Sequence, residues 1–226
     1  MALPVYLALT GAEFRLLPRK PAHLAWMGVS FTENGTLGGF PEVFPPGGIL
    51  TVNDASPLPE KCPPEATIAL RQWVERFRPS AVLMDMQRSG ASPEVLKALA
   101  SSLPCPVAVS APYAHVLSGP VLLPPIPLYR DPEKFLAPWA GREIWLEISP
   151  LGQIVRLTKK GREICFAPVS PVQKEFPGPC SRYTIRKGPD FIEFRFRRTS
   201  EDTAALFSAA EKHGVTRLFG LYLEYR

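Results

Sequence analysis

Eight short apolar runs, spread over 226 residues, constrain this chain more than any other feature. They read "VYLALT", "LAWMGVSF", "GGILTVND", "SAVLMDM", "CPVAVSA", "PVLLPPIPLY", "EIWLEIS" and "RLFGLYLEY". Polar or turn residues close each one. Continuous apolar runs of this length predict strands buried on both faces, as in a parallel sheet. Three helical patterns lie among them. One spans Glu65 to Phe77, with Ile68, Leu70, Trp73, Val74 and Phe77 as its apolar positions. A second opens at Ser92 as N-cap, with Pro93 at N1 and Glu94 following, and ends near Ser102. The third runs from Ser200 to His213, with a Ser N-cap and Gly214 in the C′ position. Strand, helix and strand alternate from Gly47 to Ser110 and again near the end. The class this predicts is α/β: a small, pared-down (β/α)8 barrel of the TIM type, one domain over 1–226, shorter than the typical ~250 residues. The connections after the first, second and fifth strands are too short, or too rich in Pro and Gly, for full helices.

One region breaks the alternation. From 151 to 198 the pattern turns antiparallel. "QIVRLTKKGREICFAPV" reads as a hairpin around "KKG", and "SRYTIRKGPDFIEFRF" as another around "KGPD". The expectation is a β-hairpin insertion between the seventh strand and the last helix. The 27 prolines exceed twice the usual ~5%, but they are scattered among apolar segments. They indicate many short elements and ordered loops, not a disordered tract.

Composition removes several function classes. Hydrophobic residues make up 46%, enough for a sizeable core, and the net charge of +5 is scattered. The densest basic runs, "RLTKKGR" and "FRFRR", read as solvated faces. Nucleic-acid binding needs a clustered patch with a reading element, and none is visible. Cys62, Cys105, Cys165 and Cys180 form no C-x-x-C pair, and there are three histidines. No zinc site, other metal or cofactor is expected. The thiols read as buried and free, although a Cys165–Cys180 disulfide stays open, since spacing alone does not establish it. The N-terminus lacks a basic region and an apolar core of signal type. No stretch approaches the roughly 20 apolar residues of a membrane helix. The expectation is a soluble, cytoplasmic protein with no membrane partner.

Side chains at alternate positions of a barrel strand point inward. In "AVLMDMQ", Leu83, Asp85 and Gln87 then share the interior face, while Val82, Met84 and Met86 face the helices. Asp85 and Gln87 fall at the C-terminal end, where barrel chemistry sits. They read either as a polar layer capping the mouth or as a catalytic or binding site. An inward carboxylate is costly to bury without purpose, which favours the site. Other strand ends feed the same face: Asn53 and Asp54 close the third strand, Tyr113 follows the fifth, Tyr129 ends the sixth and Glu147 lies in the seventh. Tyr222 and Glu224 alternate inward on the last. Tyrosines and carboxylates around one mouth suit a sugar, with rings stacking on its face and carboxylates accepting its hydroxyls. His115 and His213 read as surface residues, and Trp139 and Trp145 as core. Glu33 to Gly39, "ENGTLGG", reads as a flexible loop without the lysine of a phosphate-binding loop.

The fourth strand resembles the signature of family 18 glycoside hydrolases, the chitinase group, which is D-x-x-D-x-D-x-E on a TIM barrel. Aligned on its end, the signature falls on Ser80, Leu83, Asp85 and Gln87. "EIWLEISPLGQ" resembles that family's seventh strand, and the hairpin region falls where many members carry a small α+β insertion. "IEFRFRRTSEDTAALFSAAEKHGVTRLFGLYLEY" is similar to the family's last strand–helix–strand unit. The resemblance covers about half the chain.

In that family the terminal Glu protonates the leaving glycosidic oxygen. The neighbouring Asp orients the substrate's N-acetyl group, which attacks in place of a protein nucleophile. The resemblance thus implies a degenerate site. Gln87 stands where the acid belongs, and Ser80 and Leu83 replace the first two acids. Three functions follow. The chain binds a glycan, one containing N-acetylglucosamine, without hydrolysing it by the standard route. Alternatively it hydrolyses glycosides with Glu147 or Glu224 as the acid. In the third reading it is a scaffold whose hairpins contact a protein partner.

Overall fold

The structure, a computed structural model, describes residues 3–17, 21–55, 59–87, 92–158, 163–169, 182–186 and 191–225. Each of the eight apolar runs contains a strand. In chain order these are β1 (Val5–Leu9), β2 (Leu24–Phe31), then a two-residue β3 (Leu37–Gly38), β4 (Ile49–Asn53), β5 (Ala81–Asp85), β6 (Val107–Ser110), β7 (Val121–Leu123) and β8 (Ile144–Glu147). The hairpin region supplies β9 (Gly152–Thr158), β10 (Glu163–Val169), β11 (Arg182–Arg186) and β12 (Phe191–Phe196), and the last run forms β13 (Val215–Leu221). The sheet order β1-β13-β8-β7-β6-β5-β4-β2 is closed by a β1–β2 pairing, and every one of these neighbours is parallel. This is the (β/α)8 barrel that the spacing of the runs predicts.

Two compact units make up the chain: Met1–Pro124, Gly141–Glu147 and Val215–Leu223 in one, and Pro125–Ala140, Ile148–Gly214 and Glu224–Arg226 in the other. The first contains all eight barrel strands. Its side chains sort by the strand period of two. Tyr6, Ala8, Ala25, Ile49, Ala81, Leu83, Ala108, Leu122, Trp145 and Phe219 form the inner cluster. Val82, Met84 and Met86 belong to the outer one, with Leu70, Trp73 and Val74 of α2 (Pro64–Phe77) and Val95, Leu96 and Leu99 of α3 (Pro93–Ser101). Both faces of each strand are therefore apolar, which is why the runs are continuous. Ile68, one of the apolar positions of α2, is 54% exposed.

Large aromatics fill the inner layer because alanines on neighbouring strands leave room. Trp145 and Tyr6 each stack on Phe219, with ring centroids 5.5 and 5.6 Å away. Arg217 seals the N-terminal end. Its guanidinium lies 4.6 Å from the Trp145 ring centroid and 5.4 Å from that of Tyr6, and it donates to Ser80 Oγ at 3.2 Å. The N-terminal end of the barrel interior is thus packed with aromatic rings and capped by a cation.

The connections are as short as the sequence implies, with one addition. A six-residue helix, α1 (Gly11–Leu16), follows β1 and is held by a capping box between Thr10 and Glu13. "ENGTLGG" is not an open loop: it turns back so that β3 pairs antiparallel with β2. Gly39, at φ +83°, lies so close to β2 that a Cβ would sit 2.0 Å from the Gly28 carbonyl oxygen. Only glycine fits there.

In the second unit, β9–β12 form an antiparallel sheet in the order β10-β9-β12-β11, so both expected hairpins are present. The helices α4 (Pro132–Leu136) and α5 (Ser200–Lys212) pack together, with an ion pair between Lys212 and Glu133. The N-cap of α5 is Thr199, not Ser200: Thr199 Oγ1 accepts from the Asp202 N–H, and Asp202 answers the Thr199 N–H. The "FRFRR" run is not wholly a solvated face. Arg195 is 6% exposed and donates to the fully buried Glu193 at 2.7 Å, while Arg156 on β9 reaches the other carboxylate oxygen at 2.8 Å.

Cys62 and Cys105 are half-buried free thiols, and burial pushes both upward in pKa. The Cys165–Cys180 pairing lies outside the described residues. Among the described residues, no helix is long and apolar enough to cross a membrane.

Candidate functional site

Because the eight strands are parallel, their C-terminal ends share one rim. The polar residues there follow from the inward alternation of each strand. On β4 the inward positions are Ile49, Thr51 and Asn53; on β5 they are Ala81, Leu83 and Asp85. Asn53 and Asp85 are direct cross-strand partners. Thus the apolar interior gives way to a polar layer one residue pair above Leu83.

Asp85 is 6% exposed. Gln87, two residues on and exposed, donates from Nε2 to Asp85 Oδ1 at 2.6 Å. Asp54, 5% exposed, follows Asn53 at the end of the adjacent strand. Burial pushes the Asp85 carboxyl above its ordinary value, the Gln87 N–H pulls it back, and the negative charge of Asp54 adds to the rise. Asp85 thus has a carboxylate neighbour, supplied by β4 instead of by its own strand.

Ser110 holds this corner in shape. It ends β6 beside β5 and is 3% exposed. Its Oγ accepts from the Met86 N–H at 2.9 Å and donates to the Met86 carbonyl at 2.8 Å. Both backbone polar groups of Met86, the residue between Asp85 and Gln87, are therefore anchored where β5 leaves the sheet. Asn53 Oδ1 accepts from the Ala55 N–H at 2.9 Å, which closes the turn after β4. Beneath Asn53, the Thr51 hydroxyl is buried without a hydrogen-bond partner among the described residues.

The other nominated residues are placed less uniformly. Glu147 is the last residue of β8, half-buried, on the inward face with Trp145 and paired with Phe219. Tyr113 follows β6 in a 3-10 turn, but it is 8% exposed and belongs to the outer apolar cluster. Tyr222 does not alternate inward on β13. The strand ends at Leu221, and Tyr222 opens a 3-10 turn and packs against the same outer cluster. Glu224 shares that turn and is likewise not on the strand. It belongs to the second unit, where its charge acts on Arg198 and on Tyr225, whose phenol is pushed up to about 12 by burial first and Glu224 second. Tyr129 does not end β7, which stops at Leu123. It lies in a turn of the second unit, 38% exposed, with its ring 5.8 Å from that of Phe196.

The first unit therefore gathers Asn53, Asp54, Asp85 and Gln87 on two adjacent strand ends, with Glu147 on the same rim. Sequence reasoning missed Ser110. Its only signal is a hydroxyl at the inward, strand-end position of "CPVAVSA". Trp145 is fully buried, as read, and Trp139 is half-buried. His115 is exposed, whereas His213 is half-buried. Among the described residues no three His, Cys, Asp or Glu side chains are grouped to hold a metal.

Fold and strand-end chemistry define the class: a (β/α)8 barrel with a carboxylate–amide pair at the end of its fourth strand. No protein-family model and no curated protein sequence matches the chain. Solved structures do match. The chitinase from Chromobacterium violaceum is similar with a TM-score of 0.59 at 11% identity, over 97% of this chain and 93% of that one. The spore cortex-lytic enzyme SleL of Bacillus cereus is similar with a TM-score of 0.56 at 11% identity, over 96% of this chain and 70% of that one. At such identity the likeness is one of fold.

Proposed function

We propose that this chain is a family 18-like barrel that binds a carbohydrate containing N-acetylglucosamine at the C-terminal rim and does not cleave it by the standard route. The observation that carries this reading is the Gln87–Asp85 hydrogen bond at 2.6 Å. It couples the residue in the acid's place to the carboxylate that would orient an N-acetyl group. An amide donates a hydrogen bond to a glycosidic oxygen but has no proton to transfer. General acid catalysis typically contributes 10²–10⁴-fold, so its loss leaves binding as the natural function of the rim. Asp54 and Asp85 supply acceptors for hydroxyl or N–H groups, and Asn53 supplies amide donors. Similarity of fold to a chitinase and to a cortex-lytic enzyme supports the substrate class.

The place of Glu147 favours a second reading. It closes β8 on the inward face and is a carboxylic acid on the same rim. A hydrolase using it would pair Glu147 with Asp85. Chitooligosaccharide binding by calorimetry, with product analysis for the native, Gln87→Glu and Glu147→Gln proteins, separates the two. Binding without products in the native protein supports the first reading. Native turnover that Glu147→Gln abolishes supports the second.

A further inference from the structure

The second unit contains a small cavity, about 60 Å³, that none of the preceding chemistry uses. Ile126, Leu128 and Leu206 give it apolar walls, and Arg130, Arg198 and Asp202 give it charge. Arg198 immediately precedes Thr199, the N-cap of α5. It is half-buried, and its Nε is buried with no hydrogen-bond partner among the described residues. A guanidinium carries five N–H donors in a rigid fork. Withdrawing one from water without a partner is costly.

The nearby acids do not close that fork. Asp202 Oδ2 already accepts from both the Thr199 N–H and the Thr199 hydroxyl, each at 2.8 Å. Glu224 acts on Arg198 only at longer range: no ion pair joins them among the described residues. Burial lowers the Arg198 pKa, and Asp202, Tyr225 and Glu224 restore it only in part. Arg130 brings a second guanidinium to the same space. It is exposed and lies 5.9 Å from the centroid of the Tyr129 ring.

We propose that this cavity binds a small carboxylate, its planar head on Arg198 and Arg130 and its short apolar stem against Ile126, Leu128 and Leu206. A planar fork matches a carboxylate in bidentate fashion. One water needs roughly 10–15 Å³ of such space, so about 60 Å³ takes a handful of water-sized groups: a carboxyl group with a stem of one or two carbons, not a sugar ring. The ligand is thus distinct in kind from the glycan proposed for the barrel rim.

The test is titration of the full chain with sodium propionate at constant ionic strength, with sodium chloride and sodium phosphate as parallel arms. Saturable propionate binding is expected, with a rise in Tm, and neither chloride nor phosphate should match it. Arg198→Lys keeps the charge but lacks the fork, and should weaken binding about tenfold. If that variant does not fold, Arg130→Ala, at an exposed position, decides; it should weaken binding several-fold with an unchanged ligand-free Tm. No saturable propionate binding overturns the proposal. So does phosphate binding as tightly as propionate, or propionate affinity unchanged in Arg130→Ala or in a folded Arg198→Lys.

Discussion

Gln87 Nε2 lies 2.6 Å from Asp85 Oδ1, with the amide exposed and the carboxylate almost wholly buried. The amide is the partner that makes a buried carboxylate tolerable at this strand end. Replacing it by glutamate sets two carboxyls in hydrogen-bond contact, and such a pair cannot ionise twice without cost. Gln87→Glu should therefore lose about 1–3 kcal/mol of stability at neutral pH. The loss should shrink in acid, where the pair holds its protons. Urea melts of both proteins at neutral and acid pH measure this, and equal stability at neutral pH would contradict it.

Asp85 itself sets a pH dependence with a definite sign. Burial raises its carboxyl above the ordinary value of 3.8. The folded chain then holds this proton more tightly than the unfolded chain. Its favourable contribution is complete below 3.8 and is lost as pH rises through the raised folded value. Asp85→Asn is neutral throughout and keeps an oxygen for the Gln87 N–H. It should melt above the native protein at neutral pH and level with it near pH ~3. A variant that melts lower at neutral pH would show that burial is not the dominant influence on this carboxyl.

Ser110 is predicted to position the pair without touching the ligand. Ser110→Ala removes an acceptor and a donor from the buried Met86 peptide groups, at a cost of about 1–3 kcal/mol. If its role were only structural, any residual glycan affinity of the folded variant would equal the native value. Positioning of Asp85 and Gln87 instead predicts an affinity that falls while the variant remains fully folded, measured well below its Tm.

The eight strands were legible because burial on both faces leaves unbroken apolar runs, and "AVLMD" is buried at all five positions. Helix α1 was not legible from periodicity: it has six residues and buries only Phe14. Its capping box, Thr10 with Glu13, was the available signal. The same rule separates Thr199 from Ser200, since only Thr199 has an acid at N3. Nothing in "LYLEY" marks where the strand stops, so alternation alone carries Tyr222 and Glu224 past its end at Leu221. Alternation along one strand is enough to place Asp85 and Gln87 together at its end. The effect of Asp54 on Asp85 and the Ser110 anchor cross between strands, and no local pattern carries them.

In the second unit, Glu193 has no exposed surface and serves both Arg195 and Arg156. Removing one partner of a buried ion pair typically costs about 3–5 kcal/mol, because charge is left without compensation. Glu193→Ala should fall in that range by denaturant melting. A loss below about 1 kcal/mol would place the triad among exposed surface pairs.

The central claim rests on the rim of β4 and β5, and calorimetric titration of the native chain with N-acetylglucosamine oligomers tests it most directly, with product analysis of the same samples. Glycan binding without standard hydrolysis predicts a saturable heat, intact oligomers after prolonged incubation, and at least a tenfold weaker affinity in Asp85→Ala, about 1.4 kcal/mol. No saturable binding by the native chain, or oligomer cleavage that Glu147→Gln abolishes, would contradict it.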